Sequence, residues 1–600
     1  MAEYNASVHG DVDIIFAGGG TAACVAAGRI AKYNPDLKIL LIERGGTSFE
    51  DPSVRNPFLY LTNLLPTSKN AIFWKSQASK YLNGREAVVP TGGTLGGGSA
   101  INFMMYTRAQ KVDFDSWNTP GWSGDDLVPL ANKIETYLND DPAIDQSKHG
   151  HDGPIQVSDG GFRSKCEHDY IATIKKMGKE EIVDMESFGE TGGFARWQRY
   201  VSKDGKRQDA AFTYLYPLVQ GGQHPNLFIQ PNSQVVRVLF DGTRASGVEY
   251  IASAEADSVN PARTAVKATK LVVVSAGALG TPLILERSGV GNPELLNKLN
   301  IPVVSAVPGV GEDYQDHHLT LFPFKTSLHP DETLDSVLSG RLDATQLIKD
   351  KHPIVGWNGI DISSKIQMTP EEVAAQPEAF QKLWHRDFAH EKSKPLMLIG
   401  KVSAFLGDPT TVEPGQYFTL GCYTAYPWSR GSIHNNSADA INDYTFDNGF
   451  FSDESDVTSQ IWSYKVAREV ALRLPYSTGE LAVGHPVFKQ GSKAVRTDED
   501  YKSTADKQDV EYSAEDDKVI DAFLRENVNT TWHSLGTCPM KPLDKGGVVD
   551  GNLNVFGTQG LKCVDLSIVP ENVGANTNNT ALVVGEKAAT IIASELGIKI

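Results

Sequence analysis

The 600-residue sequence predicts a Rossmann-like α/β nucleotide-binding domain, discontinuous in the chain, with an α+β domain threaded through it. Three observations carry this. The chain opens on an apolar strand, a glycine turn and a helix of small residues. A second strand, glycine turn and helix recur at 268–291, and the carboxyl end repeats a strand and a helix. Length agrees, since one domain usually holds ~150 residues.

The first unit reads "VDIIFAGGGTAACVAAGRIAKY" followed by "KILLIERGG". Gly18, Gly20 and Ala23 form G-x-G-x-x-A after the strand, and Glu43 ends the next strand. Glycines there allow a tight turn and close approach of backbone to a pyrophosphate; the helix start attracts its charge, and the acid accepts hydrogen bonds from a ribose. The pattern leaves NAD and FAD both open. The second unit is "ATKLVVVSAGALGTPLILERSGVG"; the third is "LKCVDLSIVP" with the helical "NTNNTALVVGEKAATIIASEL".

Between these units, "LTLFPFKT" and "QYFTLGCYTAY" alternate with period two, and "DVTSQIWSYKVAREVALRL" is helical, which predicts an antiparallel sheet backed by helices. The expected division is therefore 1–158, 205–318 and 525–600 for the nucleotide-binding domain, and 159–204 and 319–524 for the substrate-binding domain.

A net charge of -18 argues against a nucleic-acid partner, which needs clustered Lys and Arg. No apolar run approaches the ~18 residues of a membrane span, and the amino terminus lacks a secretory pattern. Five scattered cysteines without a CxxC pair favour a reducing, intracellular compartment, with the sequon at Asn5 unused. No HExxH or CxxC spacing is present, so no metal is expected.

Residues 88–117 contain Gly92, Gly93, Gly96, Gly97 and Gly98, followed by "INFMMY". A glycine run alone reads as a flexible loop. The apolar segment after it is unsuited to an exposed loop, so the glycines are better explained by backbone lying flat against a buried ring, for which a flavin is a good candidate.

At this point the sequence resembles the glucose-methanol-choline (GMC) oxidoreductases, and within them the alcohol (methanol) oxidases of fungi and yeasts. The segments that carry the likeness are "AGGGTAACVAAGRI", "TLGGGSAINFMMYTR", "SAGALGTPLILERSGVG", "VPGVGEDYQDHH", "YPWSRGSIH", "TTWHSLGTC" and "VPENVGANTNNTALVVGEK". The resemblance implies FAD and places Asn102 against the flavin. Members with covalent FAD carry histidine just before that asparagine; Ile101 stands there, so non-covalent FAD is expected. It further implies that Val236 meets the adenine through its backbone and that Asp565 approaches the ribityl chain. The implied cofactor set also includes Gly18, Gly20, Thr21, Ala22, Glu43, Arg44, Gly93, Leu95, Gly98, Phe103, Met104, Ala276, Trp532, Leu566 and Thr577.

By the same resemblance, His533 of "WHSLGT" faces the flavin N5, and Asn576 joins it from the start of the last helix. Oxidising an alcohol removes the hydroxyl proton as well as a hydride, and a neutral imidazole suits the first task. Asn576 has an amide N–H to orient the alcohol oxygen, or it is merely an N-terminal cap. His317 and His318 are expected to be structural.

Phe103, Met104, Met105 and Trp532 would wall a small apolar pocket, although the two methionines are as well explained as core. The expected reaction is oxidation of a short primary alcohol to an aldehyde, with O2 as acceptor and H2O2 as product. A quinone-dependent dehydrogenase and a non-redox hydroxynitrile lyase are the alternatives. The chain ends at "ELGIKI" without an S-K-L type address, so a cytoplasmic protein is expected, with a homo-oligomer left open.

Overall fold

The computed structural model describes residues 10–189, 191–222, 224–258, 261–503 and 507–600; Asn5 lies outside them. Its first sheet is built from apolar runs buried on both faces, the signature of parallel strands covered on each side. Leu227–Gln230, Ile39–Ile42, Val12–Ala17 and Thr264–Val274 lie in that order and parallel, with Leu561–Cys563 pairing beyond them. Ala17 is in register with both Ile42 and Val274, and Val274 with Cys563. Three loops that follow these strands, beginning at Gly18, Glu43 and Ser275, therefore leave the sheet at one edge, together with Val564. That edge is where open α/β sheets hold ligands. The start of Thr264–Val274 continues past the parallel layer and pairs antiparallel with Arg244–Ala252, which pairs with Ser233–Asp241.

Small residues in helix Thr21–Tyr33 let other elements approach closely. A side chain at Gly28 would stand 2.6 Å from the Tyr214 carbonyl oxygen. One at Gly585, in the last helix Asn578–Glu595, would stand 2.8 Å from the Ala22 carbonyl oxygen. The run "TAACVAAG" is thus fixed by packing on both sides, with Thr21 through Gly28 all buried.

The second sheet is antiparallel throughout, in the order Ser477–Glu480, His318–Thr326, Tyr417–Thr424, Met397–Val402, Ile360–Lys365 and Gly193–Arg196. Asn529–Thr530 adds to its edge beside His318 and Leu319. Period-two alternation divides its faces. Phe418, Leu420 and Cys422 join the core cluster formed with Val466, Ala467 and Val470 of helix Glu454–Arg473. Gly421 and Tyr423 face the opposite way, toward a cavity between the two sheets.

All five cysteines are buried and unpaired. Among the described residues, no helix is long and apolar enough to cross a membrane, and no three metal-ligating side chains cluster.

Candidate active site

One continuous cavity runs from the carboxyl edge of the first sheet to the inner face of the second. At its first end, Gly18 has φ +113° and would place a Cβ 2.2 Å from the Ser275 carbonyl oxygen, so only glycine fits. Helix Thr21–Tyr33 begins directly against the cavity, with Gly20 as N-cap, no capping side chain and no acid in its first turn. Its partial positive charge is therefore left for an anionic ligand. Glu43 is buried and accepts from Gly19 N at 2.8 Å and Gly45 N at 2.7 Å. Burial raises its carboxyl above the usual range, against the pull of those two amides. Gly98 has nothing within 4 Å of an added Cβ, whereas one at Gly97 would meet Gly20 Cα at 2.7 Å. The glycine run is therefore packed backbone that borders the cavity.

Gly18, Gly20, Thr21, Ala22, Glu43, Arg44, Gly98, Asn102, Phe103, Met104, Met105, Ala276, Trp532, Asp565, Leu566 and Thr577 all line this cavity, as do His533 and Asn576. Gly93, Leu95 and Val236 do not. Gly93 is a packing glycine, since a Cβ on it would stand 2.8 Å from Ile72 Cγ1 and 3.2 Å from the Ala71 carbonyl carbon. Leu95 lies behind Gly19, fully buried. Val236 gives its carbonyl to Arg287 Nε at 3.0 Å and packs on Ile251 and Ile441. Its neighbours Ser233, Gln234 and Val235 line the cavity instead. Asp565 reaches the wall with its carboxylate already engaged by Gly277 N, Thr281 Oγ1 and Ser567 N.

Alternation fails for Met104 and Met105. Met104 has φ +58°, so the pair is not strand and both side chains line the cavity. Trp532, at φ +63°, is a second left-handed non-glycine residue in the same wall. Bulky side chains in that region carry strain, which concentrates at functional sites.

At the centre of the cavity, two distant segments bring their side chains together. Leu535 exchanges backbone hydrogen bonds with Gln315, and Thr531 N donates to the His317 carbonyl, so "TTWHSLG" is zipped onto "YQDHH". Asp316 takes the His533 amide at 3.1 Å, Thr530 Oγ1 at 2.5 Å and the Tyr314 hydroxyl at 3.1 Å. Burial pushes Asp316 up to about 6.

The Asn576 amide is oriented by its acceptors. Its Oδ1 takes the Tyr423 hydroxyl at 2.9 Å and Thr107 Oγ1 at 3.3 Å, which turns Nδ2 toward His533 Nε2 at 3.3 Å. An amide nitrogen is only a donor, so His533 Nε2 carries the lone pair and Nδ1 the proton. That proton goes to His317 Nδ1 at 2.8 Å. The helix-start amide is thus not a cap: Thr577 holds the N-cap position without a side-chain bond.

Burial, reinforced by His317, holds His533 well below the usual histidine range. Burial likewise takes His317 down to about 4. Both rings are neutral at pH 7. His318, the adjacent residue, packs its ring against Phe450 at a tilt of 53° and approaches Asp456 at 3.9 Å.

The GMC oxidoreductase amino-terminal family model matches residues 12–319 and its carboxyl-terminal counterpart matches 427–585. The chain belongs to the GMC oxidoreductase family. It is 36% identical to the alcohol oxidase of Candida boidinii, over 98% of this chain and 95% of that one. It is 29% identical to an oxygen-dependent choline dehydrogenase of Escherichia coli, over 97% and 95% respectively. A formate oxidase of Aspergillus oryzae RIB40, whose structure concerns FAD modification, shares the fold at TM-score 0.82, with 22% identity and coverage of 98% and 99%. A fungal aryl-alcohol oxidase shares it at TM-score 0.78, with 22% identity and coverage of 98% and 99%.

FAD is the cofactor that GMC membership implies, and the cradle fits it: a glycine turn only glycine can make, an uncapped helix start, and a buried acid beside it. Sequence reasoning missed three residues of this GMC oxidoreductase site. Tyr423 carried a signal, since strand alternation puts it on the face opposite Cys422. His317 carried half of one, because two adjacent histidines must diverge. Thr107 carried none.

Proposed function

We propose that this protein oxidises primary alcohols to aldehydes with non-covalently bound FAD, using His533 as base, dioxygen as terminal acceptor and releasing hydrogen peroxide. When bound, FAD supplies the two-electron acceptor for the α-hydrogen, taken as hydride. The observation that carries this reading is the orientation of His533, whose Nε2 lone pair faces the cavity 3.3 Å from Asn576 Nδ2.

An alcohol that replaces the Asn576 hydrogen at the His533 Nε2 lone pair donates its own proton there, and its oxygen accepts from the Asn576 amide. The base is neutral because it is buried, and it is held in one tautomer because His317 accepts its other proton. Asn576 is held in turn through Oδ1 by Tyr423 and Thr107, which fixes where its N–H meets the alcohol. As alkoxide character develops, the hydrogen bond from the Asn576 N–H to that oxygen strengthens. Phe103, whose ring centroid is 4.8 Å from that of Trp532, and Met105 wall the site against water.

Ile101 lines the cavity beside Asn102 and offers no nucleophile, which supports non-covalent FAD. Gly18 to Gly98 and Asp565 hold the cofactor in this reading, and the second sheet carries the substrate wall. A cytoplasmic location is part of the same proposal.

Anaerobic titration of the purified protein with primary alcohols tests it: the yellow absorbance should bleach, and turnover with O2 should exceed turnover with a quinone dye. A flavin that no alcohol bleaches contradicts the proposal.

A further inference from the structure

Beyond His533 and Asn576 the cavity continues across the second sheet, where a row of the sheet lacks side chains. We infer that this region is a slot for an unbranched alkyl or benzylic tail of the substrate, so that medium-chain or aromatic primary alcohols are preferred to methanol and ethanol. The inference rests on the alcohol-oxidation reading for the chemistry, though not for binding.

Gly421 and Gly400 are direct partners on adjacent strands, and Leu321 pairs with Gly421 on the other side. All three face the cavity. Neither glycine has positive φ. A Cβ on Gly400 would meet nothing nearer than Ser363 Oγ at 3.5 Å, and one on Gly421 would meet Leu321 and Leu319 methyls at 3.3 and 3.4 Å. Backbone conformation therefore does not demand glycine at either place, and packing does not demand it at Gly400. Glycine in a strand interior weakens the strand, and its use often marks close approach of a ligand.

Position and wall chemistry define the occupant. Gly421 lies two residues from Tyr423, whose hydroxyl holds Asn576. Gly421 thus stands about 7 Å along the strand from the residue that holds Asn576, a length comparable with a benzyl or pentyl group. Its walls are Leu319, Leu321, Ile360, Val402 and Leu406. The nearby Ser363 hydroxyl is spent on the Ile399 carbonyl. A polyol or cationic tail would lose water there and gain no partner. An apolar tail gains about fourfold in binding per buried methylene.

The test uses the FAD-loaded protein and two readouts. In the first, kcat/KM for primary alcohols should rise about fourfold per added methylene from ethanol until the slot is filled, and benzyl alcohol should exceed ethanol. In the second, tert-butanol and dimethyl pentyl carbinol, which have no α-hydrogen to lose, are compared by their perturbation of the flavin absorbance; the longer should bind more tightly. Gly400→Val should cut the hexanol-to-ethanol ratio of kcat/KM about tenfold or more, and Gly421→Ala should cut it less. Chain-length independence in both readouts, or Gly400→Val and Gly421→Ala that leave the ratio unchanged, overturns the slot. If no primary alcohol is oxidised while the longer tertiary alcohol still binds more tightly, the oxidation reading fails and the slot stands.

Discussion

The two ends of the cavity are built on different principles. The nucleotide end is a matter of backbone: glycine turns at aligned strand ends, an uncapped helix start and one buried acid. The end proposed to handle the proton is a matter of side chains from His317, His533, Asn576, Tyr423 and Thr107, which lie far apart in the chain and meet through hydrogen bonds of 2.8–3.3 Å. The first end should fail as a whole when its backbone is disturbed. The second should fail by degrees, with the cofactor still in place.

The largest expected effect breaks the first end. Gly18→Ala drives a methyl into the Ser275 carbonyl and should yield protein without flavin, read as lost visible absorbance. A fully loaded Gly18→Ala protein would remove the distinction. At the second end, Asn576→Ala should slow anaerobic flavin reduction by about 10² with FAD content unchanged; if flavin is lost instead, Asn576 belongs to the cradle.

A smaller effect separates orientation from structure. His317→Ala should slow reduction about tenfold, as expected for one orienting hydrogen bond of about 1.4 kcal/mol. A depressed pKa keeps the base form present at lower pH, so the wild-type reduction rate should stay flat from pH 8 to below 6.5 and fall only as pH drops through the buried value. Tyr423→Phe frees one acceptor site on the Asn576 amide while Thr107 remains, and should slow reduction by roughly threefold to fivefold. A Tyr423→Phe protein slower than His317→Ala would show that the amide, not the imidazole, is the more fragile partner.

The contrast also explains what could be read from the sequence. Backbone sites leave a local signature, so Gly18, Gly20 and Glu43 were visible as a spacing, and the discontinuous α/β layer followed from three apolar strand and helix patterns. Even there, the spacing did not fix every contact: Ser233, Gln234 and Val235 line the cavity, while Val236 gives its carbonyl to Arg287. Similarly, Gly93 and Leu95 share the glycine run but serve packing. The side-chain network has no local signature. His533 and Asn576 were reached through the family resemblance, while the bond from His317 depends on the zipper between 311–317 and 531–537, a long-range pairing that no window of sequence contains. Left-handed Met104 could not be foreseen either, since period-two reasoning assumes an extended chain.

The central claim is that His533, neutral and held in one tautomer, takes the alcohol proton. Stopped-flow reduction of the His533→Ala protein by its best alcohol, under anaerobic conditions and with FAD content measured, tests it most directly. Reduction slowed by about 10² or more with flavin fully bound is the expected result. Reduction at the wild-type rate would contradict it.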